Sequence, residues 1–327
     1  MRTFQEYLNK IKPQVDERIG ELTREKLKDP DVIPMLLKGK RLRAGLLLLV
    51  FDSMSKKEQN RNAALDLACA IELAHSASLI LDDMLDEDTE RRGLPTIHLK
   101  KGAKRAMLDT IGVLSVPYDI IAPYGKQFVE SLAQTQRSMV SGVVRELFSH
   151  PDLPATRLYE AVISQKTGRL FSLSALWGFM AAKCIDCAAP ALDQYCEYKG
   201  EMTAFANYGI HCGNAMQTAD DIADLQKVID GKKKNGFGSE LILLRCVNVD
   251  RLVKEFFTDV KNLSVDLNKI KELWGQESVQ KTLRKILDKE IFKARTIITW
   301  TKIPYLECEE LLLSAPAEIA DMMLKEG

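Results

Sequence analysis

The chain has 327 residues, 46% of them apolar, enough to fill a sizeable core in one large domain or two ordinary ones. Lysine plus arginine and aspartate plus glutamate number 46 each, so no net field draws the molecule to nucleic acid or to an anionic membrane surface, and any anion binding must be local. Seven cysteines, odd in number and scattered, suit reduced thiols; the Cys184–Cys187 pair has neither a second ligand pair for zinc nor a βαβ context for redox work. The four histidines show no metal-ligand spacing. The N-terminal stretch is amphipathic and mixed in charge, unlike a signal peptide, and no stretch reaches the ~18 uncharged apolar residues of a membrane span. A cytoplasmic protein without an integral membrane segment is expected.

Residues 3–27 carry apolar positions at helical spacing, closed by Pro30 and Pro34. Lys38-Gly39-Lys40-Arg41-Leu42-Arg43 then opens an apolar run, Ala44 to Met54, that reads as a buried helix. Lys40 and Arg43 are three apart and are expected to share a face, as two phosphate-binding side chains would. A basic helix start left in water is the alternative, but positive charge there opposes the macrodipole and argues for an anion nearby.

Residues 61–87 read as one long helix free of glycine and proline, with Asp82, Asp83 and Asp86 near its end. Asp82 and Asp86 lie one turn apart on one face and Asp83 flanks them. Three like charges repel strongly, and a hard divalent cation with oxygen ligands, such as Mg²⁺, relieves that repulsion. A solvated acidic helix end is the alternative for such a cluster alone. Arg91 and Arg92 follow, suited to phosphates that the metal would carry, before Gly93-Leu94-Pro95 ends the pattern. His75 lies two turns before Asp82, about 10 Å along the axis; taken alone it reads as a satisfied core histidine. Ala77 and Ser78, both small, sit one turn below the carboxylates.

From Lys104 to His150 the pattern stays helical, with a break or kink at Pro117 and Pro123. The next helix, 155–183, contains Gln165-Lys166-Thr167-Gly168-Arg169. A Thr-Gly pair within a helix is unfavourable by roughly 1 kcal/mol relative to alanine, and either a kink that frees backbone carbonyls or a close helix contact accounts for it. The helical segment 191–229 holds a second acidic cluster, Gln217, Asp220, Asp221 and Asp224, followed by a basic glycine-rich loop from Gly231 to Gly238. The helices continue to Lys325. No strand-like alternation of useful length occurs, so the expected fold class is all-α.

In this order, GKRLR at 39–43, LAHSASLILDDMLDEDTERRGLPT at 73–96, KTG at 166–168, QTADDIAD at 217–224 and the lysine loop, the chain resembles the trans-isoprenyl diphosphate synthases, or polyprenyl synthetases. The resemblance covers about residues 35–236. It implies a single domain over residues 1–327, a bundle of roughly ten or more helices around a central cavity, the isoprenoid synthase fold. It also implies Mg²⁺-dependent head-to-tail condensation of isopentenyl diphosphate with an allylic prenyl diphosphate, in a homodimer. By resemblance Asp82, Asp83, Asp86, Asp220, Asp221 and Asp224 are the metal-binding carboxylates. Arg91, Lys166 and Lys234 are similar to residues that grip the allylic diphosphate, and Lys40, Arg43, His75 and Arg92 to the isopentenyl diphosphate pocket. Thr167 and Gln217 match positions whose oxygens face the developing carbocation.

The growing tail is expected to pass Ala77 and Ser78, which bear no ring, so the expected product is geranylgeranyl diphosphate or longer, with Met107, Leu108 and Ile111 as candidates for a deeper stop. Departures from the family pattern fall at Ala44, Leu81, Val143 and Met216, in the stretch 107–121, and after Gly236. They leave open a diverged terpene cyclase, an atypical prenyltransferase or a non-catalytic partner subunit.

Overall fold

The computed structural model describes residues 1–27, 32–148, 154–185, 197–232, 238–247 and 267–325. The chain is all-α. Its helices are α1 (Phe4–Lys26), α2 (Ile33–Leu36), α3 (Leu42–Met54), α4 (Glu58–Leu85), α5 (Ile97–Lys101), α6 (Ala103–Ile121), α7 (Lys126–Phe148), α8 (Ala155–Ile163), α9 (Arg169–Lys183), α10 (Lys199–Ile229), α11 (Ser239–Val247), α12 (Leu267–Trp274), α13 (Glu277–Thr299) and α14 (Leu306–Leu324).

The run Leu46 to Val50 is apolar at every position, so α3 has no polar face to turn to water. All five residues are fully buried, and α3 packs against α4, α9 and α14. On α4 the apolar face runs through Leu67, Ile71 and Ala74 and packs onto α6 and α9. α10 packs against α9, α13 and α14. A smaller apolar cluster, including Leu158, Val162, Leu225, Val228, Leu243 and Leu283, fixes the C-terminal end of α10 against α8, α11 and α13. The two helix ends that carry the acidic clusters are therefore each anchored in buried apolar packing.

Three local features differ from the sequence reading. Between α4 and α5 a small hairpin forms, β1 (Glu90–Arg91) paired antiparallel with β2 (Leu94–Pro95). Its loop residues Arg92 and Gly93 have φ of 55° and 73°, the positive values that a tight two-residue hairpin of this twist demands. Two residues per strand are too few to leave an alternating pattern. Pro117 stays inside α6, and the break comes at Pro123, in the 3₁₀ turn Ala122–Tyr124. The Thr-Gly position is a π-helical turn, Ser164–Gly168, between α8 and α9; such turns free backbone groups and occur often at functional sites.

Windows within 60–85 and 103–124 are long and apolar enough to cross a membrane by length and composition alone. The first is a core helix, 67% buried in the molecule, and the second is 39% buried. Cys184 is buried, while Cys187 lies outside the described residues.

Candidate active site

A cavity of about 1230 Å³ opens between the C-terminal ends of α4 and α10. From α4 it is lined by His75, Ser78, Leu79, Leu81, Asp82, Leu85 and Asp86; from α10 by Met216, Gln217, Asp220, Asp221, Asp224 and Lys227. The π-turn presents Lys166 and Thr167 to it, the segment before α3 presents Lys38 and Lys40, and the first turn of α3 presents Arg43. Arg91 and Arg92 line it from the hairpin. One cavity thus collects both acidic clusters and most of the cations singled out by sequence. Lys234 lies outside the described residues.

Asp82 and Asp86 face the cavity, and their carboxylates accept no hydrogen bond and make no close ion pair among the described residues. Burial raises the pKa of both, and Glu146 raises each further; Asp86 reaches about 6 although Lys166 pulls it down. Asp83 is turned away from the cavity. It is buried and ion-paired to Arg91, with Oδ2 left without a hydrogen-bond partner among the described residues, and burial outweighs the arginine to raise its pKa. On α10, Asp221 is buried and receives hydrogen bonds from Tyr159 Oη at 2.7 Å, Gln217 Nε2 at 2.9 Å and Ser239 Oγ at 2.8 Å. Burial, followed by the charge of Glu240, nonetheless pushes its pKa up to about 8. Thr167 Oγ1 donates to Gln217 Oε1 at 2.6 Å, so one hydrogen-bonded line runs from the π-turn to the second acidic cluster.

The π-turn is itself anchored from behind. Asn214 Nδ2 donates to Ser164 Oγ at 3.1 Å and to Glu290 Oε2 at 3.0 Å, and Glu290 also bonds His211 Nδ1 at 2.7 Å and Lys293 Nζ at 2.8 Å. Lys166 Nζ donates to Glu146 Oε2 on α7 at 2.7 Å. Burial works against the Lys166 charge, but Glu146, Asp82 and Asp86 raise its pKa, so the ammonium stays charged.

The cationic side is built differently from the helix-face expectation. α3 starts at Leu42, so Lys40 precedes the helix, and the two cations meet at the cavity through a bend rather than along one helical face. Arg41, in the left-handed region with φ 63°, is fully buried between Asp16 at 2.7 Å and Glu72 at 3.6 Å and donates to Leu36 O. Part of the anion expected at this helix start is protein: Glu72 Oε1 accepts from Ala44 N at 3.0 Å. Arg43 lies 4.7 Å over the Phe171 ring, its pKa pulled down to about 10 by burial. Burial, with Arg43, Arg92 and Arg91, drives the His75 pKa well below its ordinary value, so this ring is neutral at pH 7.

Of the two small residues below the carboxylates, Ser78 reaches the cavity, whereas Ala77 is fully buried in the core. Leu81, Val143 and Met216, three of the departures from the family pattern, line the cavity together with Met139, Val140 and Val144, and give it an apolar wall. Met107, Leu108 and Ile111 do not reach it and lie exposed on α6. Glu146, Tyr159, Ser239 and Glu240 were missed by sequence reasoning. Glu146 had a signal, its helical spacing of four from Gly142; the others are joined to the site only by tertiary contact.

Among the described residues no three histidine, cysteine, aspartate or glutamate side chains gather closely enough to hold a metal by themselves. The donor set nevertheless fits a hard divalent cation: it is all carboxylate, two members face the cavity with unspent oxygens, and burial leaves their charge poorly compensated. Mg²⁺ characteristically takes one or two carboxylates and completes its shell with substrate phosphates and water.

Residues 29–238 match the family described as Polyprenyl synthetase, and the chain belongs to that family. It is 31% identical over 204 residues to a geranylfarnesyl diphosphate synthase of Methanosarcina mazei, covering 62% of this chain and 63% of that one, just under two thirds of its length. It is 30% identical over 257 residues to a geranylgeranyl diphosphate synthase of Pseudescherichia vulneris, covering 73% and 78%. Among solved structures it superposes on heptaprenyl diphosphate synthase from Staphylococcus aureus with a TM-score of 0.78 at 21% identity, over 96% of this chain and 98% of that one. A polyprenyl synthase from Caulobacter crescentus, complexed with calcium and isoprenyl diphosphate, gives 0.75 at 20% identity, over 98% of each chain. These likenesses establish the fold.

Proposed function

We propose that the chain is a Mg²⁺-dependent prenyltransferase that joins isopentenyl diphosphate head-to-tail to an allylic prenyl diphosphate, giving a longer trans-prenyl diphosphate and releasing diphosphate. The observation that carries this reading is the meeting of both acidic clusters, the cations and an apolar wall in one cavity of about 1230 Å³. That is above the ~300–1,000 Å³ of ordinary small-ligand pockets and suits two diphosphates with a hydrocarbon tail. The names of the relatives support the same chemistry.

In this reading Asp82, Asp86, Asp220 and Asp224 hold the metal through oxygen, with Asp83 orienting Arg91 and Asp221 fixing Gln217. Bound Mg²⁺ supplies charge stabilisation for the departing diphosphate. Lys166, Arg91 and Lys234 bind that diphosphate; Lys40, Arg43 and Arg92 bind isopentenyl diphosphate, with neutral His75 beside them. Thr167 and Gln217 turn oxygen toward the allylic carbon where positive charge develops. The wall of Leu81, Val143, Met216 and their neighbours excludes water that would quench that charge. The nucleophile is the double bond of isopentenyl diphosphate, held in line by its own diphosphate, so no side chain need attack, and the cation left by the new C–C bond loses a proton to the released diphosphate. Ser78, with its hydroxyl folded back onto His75 O at 2.8 Å, leaves room for a tail of geranylgeranyl length or longer.

A homodimer is part of the proposal, formed through the exposed apolar side chains Met107, Leu108 and Ile111 of α6. A cytoplasmic location without a membrane segment fits the free thiols of Cys69, Cys212, Cys246 and Cys308. Incubation of the purified chain with dimethylallyl, geranyl or farnesyl diphosphate, with and without labelled isopentenyl diphosphate, tests the reaction. Mg²⁺-dependent incorporation of label into a longer diphosphate is expected. Consumption of the allylic diphosphate alone identifies a cyclase instead, and no turnover in any arm a non-catalytic subunit.

A further inference from the structure

Lys166 lines the cavity from the π-turn, yet its ammonium is already engaged. It donates to Glu146 Oε2 at 2.7 Å, and the Glu146 side chain is only 5% exposed. The second oxygen, Oε1, is buried without a hydrogen-bond partner among the described residues and faces Gly238, where an added Cβ would come within 2.9 Å of it. The next residue, Ser239, donates to Asp221, so Glu146 lies between the two acidic clusters and acts through space on Asp82 and Asp86. A purely structural ion pair would have no reason to leave a buried carboxylate oxygen unsatisfied at the edge of a cavity. The same carboxylate competes with any polyanion for the donors of Lys166 and repels that polyanion directly.

We propose that Glu146 makes diphosphate binding conditional on a divalent cation. With the metal absent, Glu146 keeps Lys166 engaged and adds its charge to those of Asp82 and Asp86. With those charges offset, the lysine is released to share its donors with the diphosphate. Glu146 is thus a positioning residue acting through Lys166, and its part rests on the reading of this cavity as a diphosphate site.

Calorimetric titration of the full chain with inorganic diphosphate, in Mg²⁺ and in a chelator, separates the two. Wild-type protein is expected to bind in Mg²⁺ and at least about 100-fold more weakly in the chelator. The isosteric Glu146→Gln should bind metal-free diphosphate at least about tenfold more tightly than wild type, and adding Lys166→Met should erase that gain. Circular dichroism reports folding. If Glu146→Gln does not fold, Lys166→Met alone serves, and it should weaken binding in Mg²⁺ while leaving binding in the chelator unchanged. A folded Glu146→Gln with wild-type metal-free affinity, or a Lys166→Met that weakens both arms equally, overturns the role of Glu146 and leaves the diphosphate site standing. Wild type that binds no diphosphate even in Mg²⁺ removes the site reading itself.

Discussion

Gly142 on α7 packs directly against the backbone of the π-turn that carries Lys166. A Cβ there would lie 2.6 Å from the backbone nitrogen of Lys166 and 3.0 Å from Gln165 C, and both contacts are with backbone, which cannot rotate aside. Moving from 2.6 Å to an ordinary contact of 3.4 Å requires α7 and the turn to part by about 0.8 Å. Overpacking of this kind costs about 1–3 kcal/mol. With unfolding entropy near 2.1 cal/mol/K per residue, each kcal/mol moves Tm by about 1.5 °C in a chain this long. Gly142→Ala should therefore melt about 1.5–4.5 °C below wild type. Its turnover should fall roughly 100-fold, because a shift near 1 Å misplaces Lys166 and Thr167. Gly112 on α6 is the control: nothing lies within 4 Å of its added Cβ, so the same substitution should gain about 0.5–1 kcal/mol from helix propensity and leave turnover unchanged. Differential scanning calorimetry and labelled-product assays on both variants measure the pair. Wild-type melting and turnover in Gly142→Ala would refute the close approach.

Asp82→Ala and Asp220→Ala should each lower Mg²⁺-dependent turnover by about 100- to 1,000-fold or more while the far-ultraviolet helical signal persists; full activity in either removes its metal role. Burial pushes the Glu290 carboxyl up, but hydrogen bonds from His211, Lys293 and Asn214 outweigh it and hold it at about 2, against an ordinary 4.5. The folded pKa is depressed, so this stabilisation is complete above pH 4.5 and fades as pH falls toward 2; the shift is worth about 3 kcal/mol at most. The urea-stability gap between wild type and Glu290→Gln should therefore shrink between pH 7 and pH 3.5, and a gap independent of pH refutes the assignment. Ile111→Lys should convert a dimer to a monomer in sedimentation velocity, and an unchanged sedimentation coefficient counts against α6 as the interface.

Much of the site is readable along the chain because its chemistry is borne by charge at helical spacing. Asp82 and Asp86 share a face one turn apart, and both reach the cavity. Lys166 and Thr167 betray themselves through the glycine that follows them in a helical stretch, and the structure answers with a π-turn. The rest depends on what distant segments bring. Asp83 resembles its neighbours in sequence, but hairpin closure at Arg92 and Gly93 brings Arg91 onto it, and Asp83, unlike Arg91, does not line the cavity. The cationic run before α3 conceals three different fates: Arg41 is buried against Asp16 and Glu72, Arg43 lies on Phe171, and Lys40 stays at the cavity. No spacing rule predicts that Tyr159, 62 residues away, hydrogen-bonds Asp221, because the contact exists only once the smaller apolar cluster has docked α8 on α10.

The same distinction decides where product length is controlled. Sequence puts Ala77 and Ser78 together one turn below Asp82, but successive helical positions differ by about 100° around the axis, so the two project in different directions and need not both face the cavity. Ser78 is the one that does, half-buried, while Ala77 packs into the core with no exposed surface. A ring at 78 should therefore obstruct the tail, and Ser78→Phe is expected to shorten the product by one or more isoprene units at near-wild-type stability. A ring at 77 has no space to enter, so Ala77→Phe should cost about 1–3 kcal/mol by overpacking without a change of product. Chromatography of the dephosphorylated products, paired with melting curves, distinguishes the two positions. A shorter product from Ala77→Phe together with an unaltered one from Ser78→Phe would mean that the tail runs on the other side of α4.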